Sequence, residues 1–222
     1  MFLLVRTKDQ LKKTEKFFKA SDIEVASFAV SSTVFNKIDI QAEDDGFIVT
    51  SPNAVLAIPQ TKLPFFCVGE VTEKEARDTG RRIAFTGNAG AEDMAKQIAR
   101  RFPPEKLVHA AGDMADISWY TILESAGIQV EKRLAYHTKY TEYIDDKTLD
   151  IIQSDDLKAI VFFSTQGAET FTKLMKENHL NPENLSVITF SENIADCCSE
   201  YKAIYITAAP RLESVKNVMQ AL

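Results

Sequence analysis

The sequence has no long hydrophobic run. Its most extended apolar stretches, such as Ala159-Ile160-Val161-Phe162-Phe163, hold about five residues, whereas a helix that crosses a bilayer needs about twenty. The opening Met1-Phe2-Leu3-Leu4-Val5 gives way at once to Arg6 and a polar stretch, which does not read as a secretion signal. Cysteine is scarce. Cys67 sits in an apolar run and reads as a buried strand residue, while Cys197 and Cys198 are chain neighbours that cannot readily pair. A disulfide framework is therefore not expected, and a reducing cytoplasm is. No CxxC pair and no nearby basic group marks a reactive thiol. The histidines, His109, His137 and His179, have no metal-ligand spacing, so no zinc or iron site is expected. No HExxH, GxSxG or Walker loop occurs. Gly87-Asn88-Ala89-Gly90 lacks the third glycine of a phosphate turn and reads as a plain loop.

What is present is ordinary in bulk. The 222 residues are 45% hydrophobic and 26% charged, enough for one large domain or two small ones of a globular protein. With 26 basic and 32 acidic residues the net charge is −6. That is not the footprint of a nucleic-acid binder. An anionic ligand would have to be gripped by local groups against a repulsive overall field.

Along the chain, strands alternate with helices. Phe2-Leu3-Leu4-Val5 is an apolar strand, and Thr7-Lys8-Asp9-Gln10 has capping-box spacing before a helix faced by Leu11, Phe17 and Phe18. Ile23-Glu24-Val25, Phe47 to Thr50, Phe65 to Val68 and Ile83 to Phe85 are further strands, each followed by a polar-patterned helix. This is an α/β pattern with mostly parallel sheets. The chain also echoes itself. Phe18 to Val25 returns as Leu123 to Val130, Phe47 to Ser51 as Ile160 to Ser164, and Phe66 to Gly69, more faintly, as Ile188 to Ser191. The ordered echoes predict two similar α/β lobes, each of four strand–helix units. Phe28–Ile40 and Leu134–Ile144, the latter with Tyr136, Tyr140 and Tyr143, read as connectors between compact halves. Two connectors between two lobes would leave a cleft for a ligand.

The recurring chemical feature is a small hydroxyl residue where a strand hands over to a helix. Thr50-Ser51-Pro52 places Ser51 at an N-cap and proline at the first helical position. Thr72-Glu73-Lys74-Glu75 shows capping-box spacing behind Gly69, and Ser164-Thr165-Gln166-Gly167 repeats the arrangement. Helix starts leave backbone N–H groups unpaired and carry partial positive charge. Several of them together could hold many carboxylates without Lys or Arg; each taken alone is simply a cap. Tyr136 has a flat apolar body and one weakly acidic proton, suited to packing on a flat ring and donating a hydrogen bond to a ligand. It could equally be an aromatic packed on a connector strand.

These segments resemble the uroporphyrinogen-III synthase family over nearly the whole chain. The likeness is strongest in Phe47-Ile48-Val49-Thr50-Ser51-Pro52-Asn53-Ala54-Val55, then in Phe66-Cys67-Val68-Gly69-Glu70-Val71-Thr72, Ala135-Tyr136-His137-Thr138 and Phe162-Phe163-Ser164. The resemblance implies a discontinuous first lobe of residues 1–29 plus 141–222, a second of 37–133, and connector strands 30–36 and 134–140. It implies a cytoplasmic lyase of haem and porphyrin biosynthesis, without metal or cofactor, that closes hydroxymethylbilane to uroporphyrinogen III. A monomer acting on a small molecule, with no nucleic-acid or membrane partner, is expected. Tyr136 and Thr72 would be catalytic. Ser51, Asn53, Gly69, Ser164, Thr165, Gln166 and Gly167 would bind substrate. The family's Gly-Pro-Thr-Thr-Ala-like turn is replaced by Ser191-Glu192-Asn193-Ile194-Ala195, so Ser191 and Asn193 stand as substitute donors. Two other readings fit the same pattern. One is a cytosolic two-lobe protein that binds small anions without catalysis. The other is a flavin-binding or phospho-acceptor module, for which Asp113 is the nearest acceptor, although it reads as a helix start.

Overall fold

The computed structural model describes residues 1–102 and 104–222. The chain begins with β1 (Phe2–Thr7), α1 (Lys8–Lys19) and β2 (Val25–Phe35). It continues through β3 (Gly46–Val49), α2 (Pro52–Ala57), β4 (Phe65–Val68), α3 (Glu70–Asp78), β5 (Ile83–Gly87) and α4 (Ala91–Arg101). Then come β6 (Lys106–Gly112), α5 (Tyr120–Glu124), β7 (Gln129–Tyr140) and α6 (Asp146–Gln153). The last part is β8 (Ala159–Phe162), α7 (Thr165–Glu177), β9 (Ser186–Thr189), α8 (Glu192–Asp196), β10 (Ala203–Ile206) and α9 (Leu212–Ala221).

Two compact units result: Met1–Thr33 with Lys139–Leu222, and Val34–Thr138. β2 and β7 are the strands in which the chain passes from one unit to the other. In the first unit the strand order is β10-β9-β8-β1-β2, with neighbouring strands parallel. In the second it is β7-β6-β3-β4-β5, again parallel. Each unit holds the four strand–helix units expected, β1-α1, β8-α7, β9-α8 and β10-α9 in the first and β3-α2, β4-α3, β5-α4 and β6-α5 in the second, together with a fifth strand, β2 or β7, in which the chain leaves that unit.

The two orders are the same once the second is read from β6. Both follow the 2-1-3-4-5 pattern of a doubly wound sheet, with the order reversing between β1 and β8 in one unit and between β6 and β3 in the other. The echoes fall on equivalent strands: Val25 with Val130 at the starts of β2 and β7, Ser51 with Ser164 after β3 and β8, Gly69 with Ser191 after β4 and β9. Even the irregularities match. The register of β1 against β2 shifts between Arg6 and Thr7, and that of β6 against β7 shifts between Ala111 and Gly112.

The cores explain the short apolar runs. Strands covered on both faces need no polar alternation, and β3, β4 and β8 are buried almost throughout. In the first unit α7 packs Phe171 and Met175 on the side of Leu3 and Val5, while α1 and α9 pack Phe18, Val215 and Met219 on the side of Phe2 and Leu4. In the second, α2 and α3 cover Phe47, Val49 and Cys67, and α4 and α5 cover Ile48, Phe66 and Leu107. Burying one Phe or Leu side chain contributes about 1.5–3 kcal/mol. Cys67, Cys197 and Cys198 are free thiols, and Cys67 lies in a buried strand as expected. No helix among the described residues is long and apolar enough to cross a membrane.

Candidate functional site

In a doubly wound sheet, the helices after the two strands flanking the order reversal leave on opposite faces and open a crevice at the carboxyl ends. In the first unit α1 follows β1 on one face and α7 follows β8 on the other. In the second, α5 follows β6 and α2 follows β3. The residues at the two strand ends of each unit are that unit's candidate site.

In the first unit, Ser164 is the N-cap of α7, and its Oγ accepts from the Gly167 N–H at 3.2 Å. The Ala168 N–H donates to the Ser164 carbonyl. The N–H groups of Thr165 and Gln166 have no protein partner among the described residues, and no acidic residue lies in the first helical turn. Thirteen residues of helix stand behind this end. Gly167 is not a free donor. Its place is steric, since a Cβ there would lie 2.9 Å from Ser164 Oγ.

In the second unit, Ser51 caps α2 by accepting from the Asn53 N–H at 3.2 Å, with Pro52 at the first helical position as expected. Here the expectation of free amides fails. Proline has no N–H, the Asn53 N–H goes to Ser51 Oγ, and the Ala54 N–H goes to the Ser51 carbonyl. With six residues, α2 also carries little dipole. What Ser51 keeps is its own hydroxyl proton, because a hydroxyl that accepts in a cap can still donate outward.

Tyr136 lies opposite Gly112 across β6 and β7 because of the register shift beside Gly112. The ring is half-buried and packs against the Phe47 side of the sheet. Gly112 leaves it room, as a Cβ there would stand 3.0 Å from Tyr136 Cζ and 3.1 Å from its Oη. The phenol is thus held at the carboxyl end of β6, one strand from Thr50 and Ser51.

Beneath Thr50 runs a buried polar thread. His109 of β6 is fully buried, with Nε2 3.3 Å from Thr50 Oγ1 and Nδ1 2.6 Å from Tyr120 Oη. Its ring packs edge-on against Trp119 and Tyr120. Burial pushes the His109 pKa down to about 4, with the Lys132 charge adding to the effect. The neutral ring accepts from one hydroxyl and donates to the other, which fixes Thr50 at the start of the Ser51 turn.

Other expected positions fall elsewhere. Gly69, not a hydroxyl residue, is the N-cap of α3, at φ 79°, where glycine is favoured and no side chain caps. Thr72 is therefore not the head of a capping box. It is the third residue of α3 and its side chain is 3% exposed, so the hydroxyl does not face solvent. Glu70 and Glu73 place negative charge in that first turn. Thr7 precedes α1 but makes no side-chain cap. Ser191 is the N-cap of α8 without a side-chain cap, Asn193 is exposed within that five-residue helix, and Glu192 adds an acid to its first turn. Asp113 does not start a helix. It sits in the loop after β6, and α5 begins at Tyr120. The Gly87–Gly90 stretch is a loop as expected, with Gly87 packed so closely that a Cβ would lie 2.7 Å from Met94 Cβ. Among the described residues no group of three or more His, Cys, Asp or Glu could hold a metal ion.

Sequence reading missed Arg6, His109, Tyr120 and Gly112. Arg6 follows the first apolar strand in the sequence, but its importance depends on where β8 lies. His109 and Thr50 are 59 residues apart, and no spacing rule connects them.

A family model described as "Uroporphyrinogen-III synthase HemD" matches residues 12–215. No curated protein matches the chain. Among solved structures, uroporphyrinogen-III synthetase from Helicobacter pylori 26695 is 17% identical, with 99% of this chain and 98% of that chain covered, and the TM-score of 0.64 shows a shared fold. A mutant uroporphyrinogen III synthase from the extremely thermophilic bacterium Thermus thermophilus aligns over 99% of this chain and 97% of that chain at 12% identity, with a TM-score of 0.49. With most of its length inside the family match, the chain belongs to the uroporphyrinogen-III synthase family.

Proposed function

We propose that the protein is a lyase that converts hydroxymethylbilane to uroporphyrinogen III with loss of water and inversion of ring D. The observation that carries this reading beyond family membership is the start of α7. Two N–H groups there have no protein partner among the described residues, the Ser164 hydroxyl adjoins them, and no acid sits in the first turn. Such an end suits carboxylates, which the substrate carries on every ring. The α2 start, equally free of acids, contributes the Ser51 hydroxyl and, beside it, Asn53. Val71 and Met114, 73% and 91% exposed after β4 and β6, offer apolar surface to pyrrole faces.

The chemistry needs little from the protein besides geometry. The terminal C–O bond breaks as the adjacent pyrrole nitrogen supplies electrons, and the hydroxyl leaves with a proton as water. The substituted carbon of ring D attacks the resulting azafulvene carbon and forms a spiro intermediate. The old bond from that carbon to its bridge then breaks, ring D turns over, and its free α-carbon closes the macrocycle with loss of a proton. Tyr136 donates a hydrogen bond to the departing hydroxyl. Selecting one fold of a flexible chain before it closes is a positioning task, the kind of effect that can contribute several kcal/mol. Supplying enzymatically made hydroxymethylbilane and separating the isomers tests the reading. Type III product is expected, and type I alone at the spontaneous rate would refute it.

A further inference from the structure

We propose that Arg6 is a substrate-binding residue, whose guanidinium takes a carboxylate of the ligand in the crevice between the ends of β1 and β8. This rests on the function proposed above and names a group that function lacked, a fixed cation in the first unit.

Arg6 is half-buried at the carboxyl end of β1, beside the register shift against β2. One nitrogen donates to Thr14 Oγ1 at 2.7 Å, and the Thr14 hydroxyl in turn donates to the Gln10 carbonyl at 2.8 Å. The guanidinium lies over the Phe163 ring, 4.4 Å from its centroid, and Phe163 is wedged edge-on against Phe190. The plane is thus held on two sides. Among the described residues, no acidic side chain pairs with it. The other two covered arginines are tied down more fully, although Arg81 Nε has no partner among the described residues. Arg133 is clamped by Asp44 and Glu131, and Arg81 donates to the carbonyls of Ile58 and Pro59.

A partly desolvated cation without a counter-charge is costly unless something supplies the anion. Of five guanidinium N–H donors, the structure uses one. The remaining donors border the strand ends where doubly wound sheets bind ligands, with the acid-free start of α7 following Phe163. In the second unit the residue at the same place beside the register shift is Ala111, so the cation belongs to one unit alone. It gives the crevice of the first unit a grip on carboxylates that the crevice of the second lacks.

The test uses the full chain with hydroxymethylbilane in turnover and uroporphyrin III, a stable octacarboxylate, in fluorescence titration. Arg6→Gln keeps much of the side-chain stem. It should raise KM and the uroporphyrin III Kd about 10-fold, leave kcat within about 3-fold, and flatten the salt dependence of binding. Thr14→Val, which removes the hydroxyl that fixes the guanidinium, should raise both constants about 3-fold and serves if the first variant does not fold. Unchanged KM and Kd in a folded variant, with wild-type protein making type III product, would overturn the role of Arg6 and leave the function standing. Arg6-dependent binding of uroporphyrin III by a wild-type protein that makes no type III product would support the carboxylate role and refute the function.

Discussion

A methyl group on Gly112 would lie 3.0 Å from Cζ of Tyr136 and 3.1 Å from its hydroxyl, so the small residue at the end of β6 sets where the phenol stands. Gly112→Ala should push the ring tip aside by a few tenths of an ångström. The strain falls on the end of a side chain, and the expected stability cost is about 1 kcal/mol or less. With Tyr136 in the role proposed for it, turnover should fall about 10-fold, because misplacing a group that acts on the substrate costs far more in rate than in folding. Urea unfolding and single-turnover rates measured on the same variant separate the two.

Tyr136→Phe keeps the ring and removes the proton. Turnover should drop about 10- to 100-fold, toward the low end of a general acid's contribution, with KM little changed. A wild-type rate in this variant would take Tyr136 out of the mechanism.

Ser164→Asp distinguishes a cap from a ligand site. Aspartate caps helices as well as serine does, so the melting temperature should hold or rise slightly. A fixed negative charge at the acid-free start of α7 should repel a polycarboxylate and raise KM about 10-fold. Ser164→Ala should instead cost about 1 kcal/mol of stability with a smaller change in KM. Equal KM values in the two variants would mean that the serine only caps.

His109 makes stability depend on pH. Its pKa falls from 6.5 to about 4 on folding because the imidazole is fully buried, so between those values the unfolded chain binds the extra proton. Stability therefore rises with pH across this window and is lost as pH falls from about 6.5 to about 4, by roughly 3 kcal/mol. His109→Gln should flatten the urea-derived stability profile there. An equally steep profile in that variant would assign the titration to another group.

Arg133 bonds to the fully covered carboxylate of Asp44 at 2.6 Å, and Glu131 holds its other side. Arg133→Met should cost about 3 kcal/mol, because it leaves the covered Asp44 carboxylate with only the Gln41 N–H at 2.8 Å and the more distant Lys106 Nζ at 3.9 Å. Urea unfolding measures the loss. The double variant with Asp44→Asn should recover part of it.

The local sequence determined which segments became strands and which became helices, the cap at Ser51 with Pro52 behind it, the cap at Ser164, and the internal echo. Each depends on neighbours a few residues apart, where backbone preference and hydrogen bonding are settled by the residues themselves. It misjudged the capping box at Thr72, because a positive φ at Gly69 can start a helix without any hydroxyl. Nor did it show that Pro52 and Ser51 together leave α2 without spare amides. Only the tertiary structure decided that β6 lies beside β3 in one unit as β1 lies beside β8 in the other, and with that, which strand ends are neighbours within each unit. Thr50 with His109, Gly112 with Tyr136 and Arg6 with Phe163 are pairs made by neighbouring parallel strands. Parallel neighbours are joined by crossovers of many residues, so no short-range pattern records which will lie side by side. Packing of the apolar faces makes that choice, and the chemistry at the strand ends follows from it.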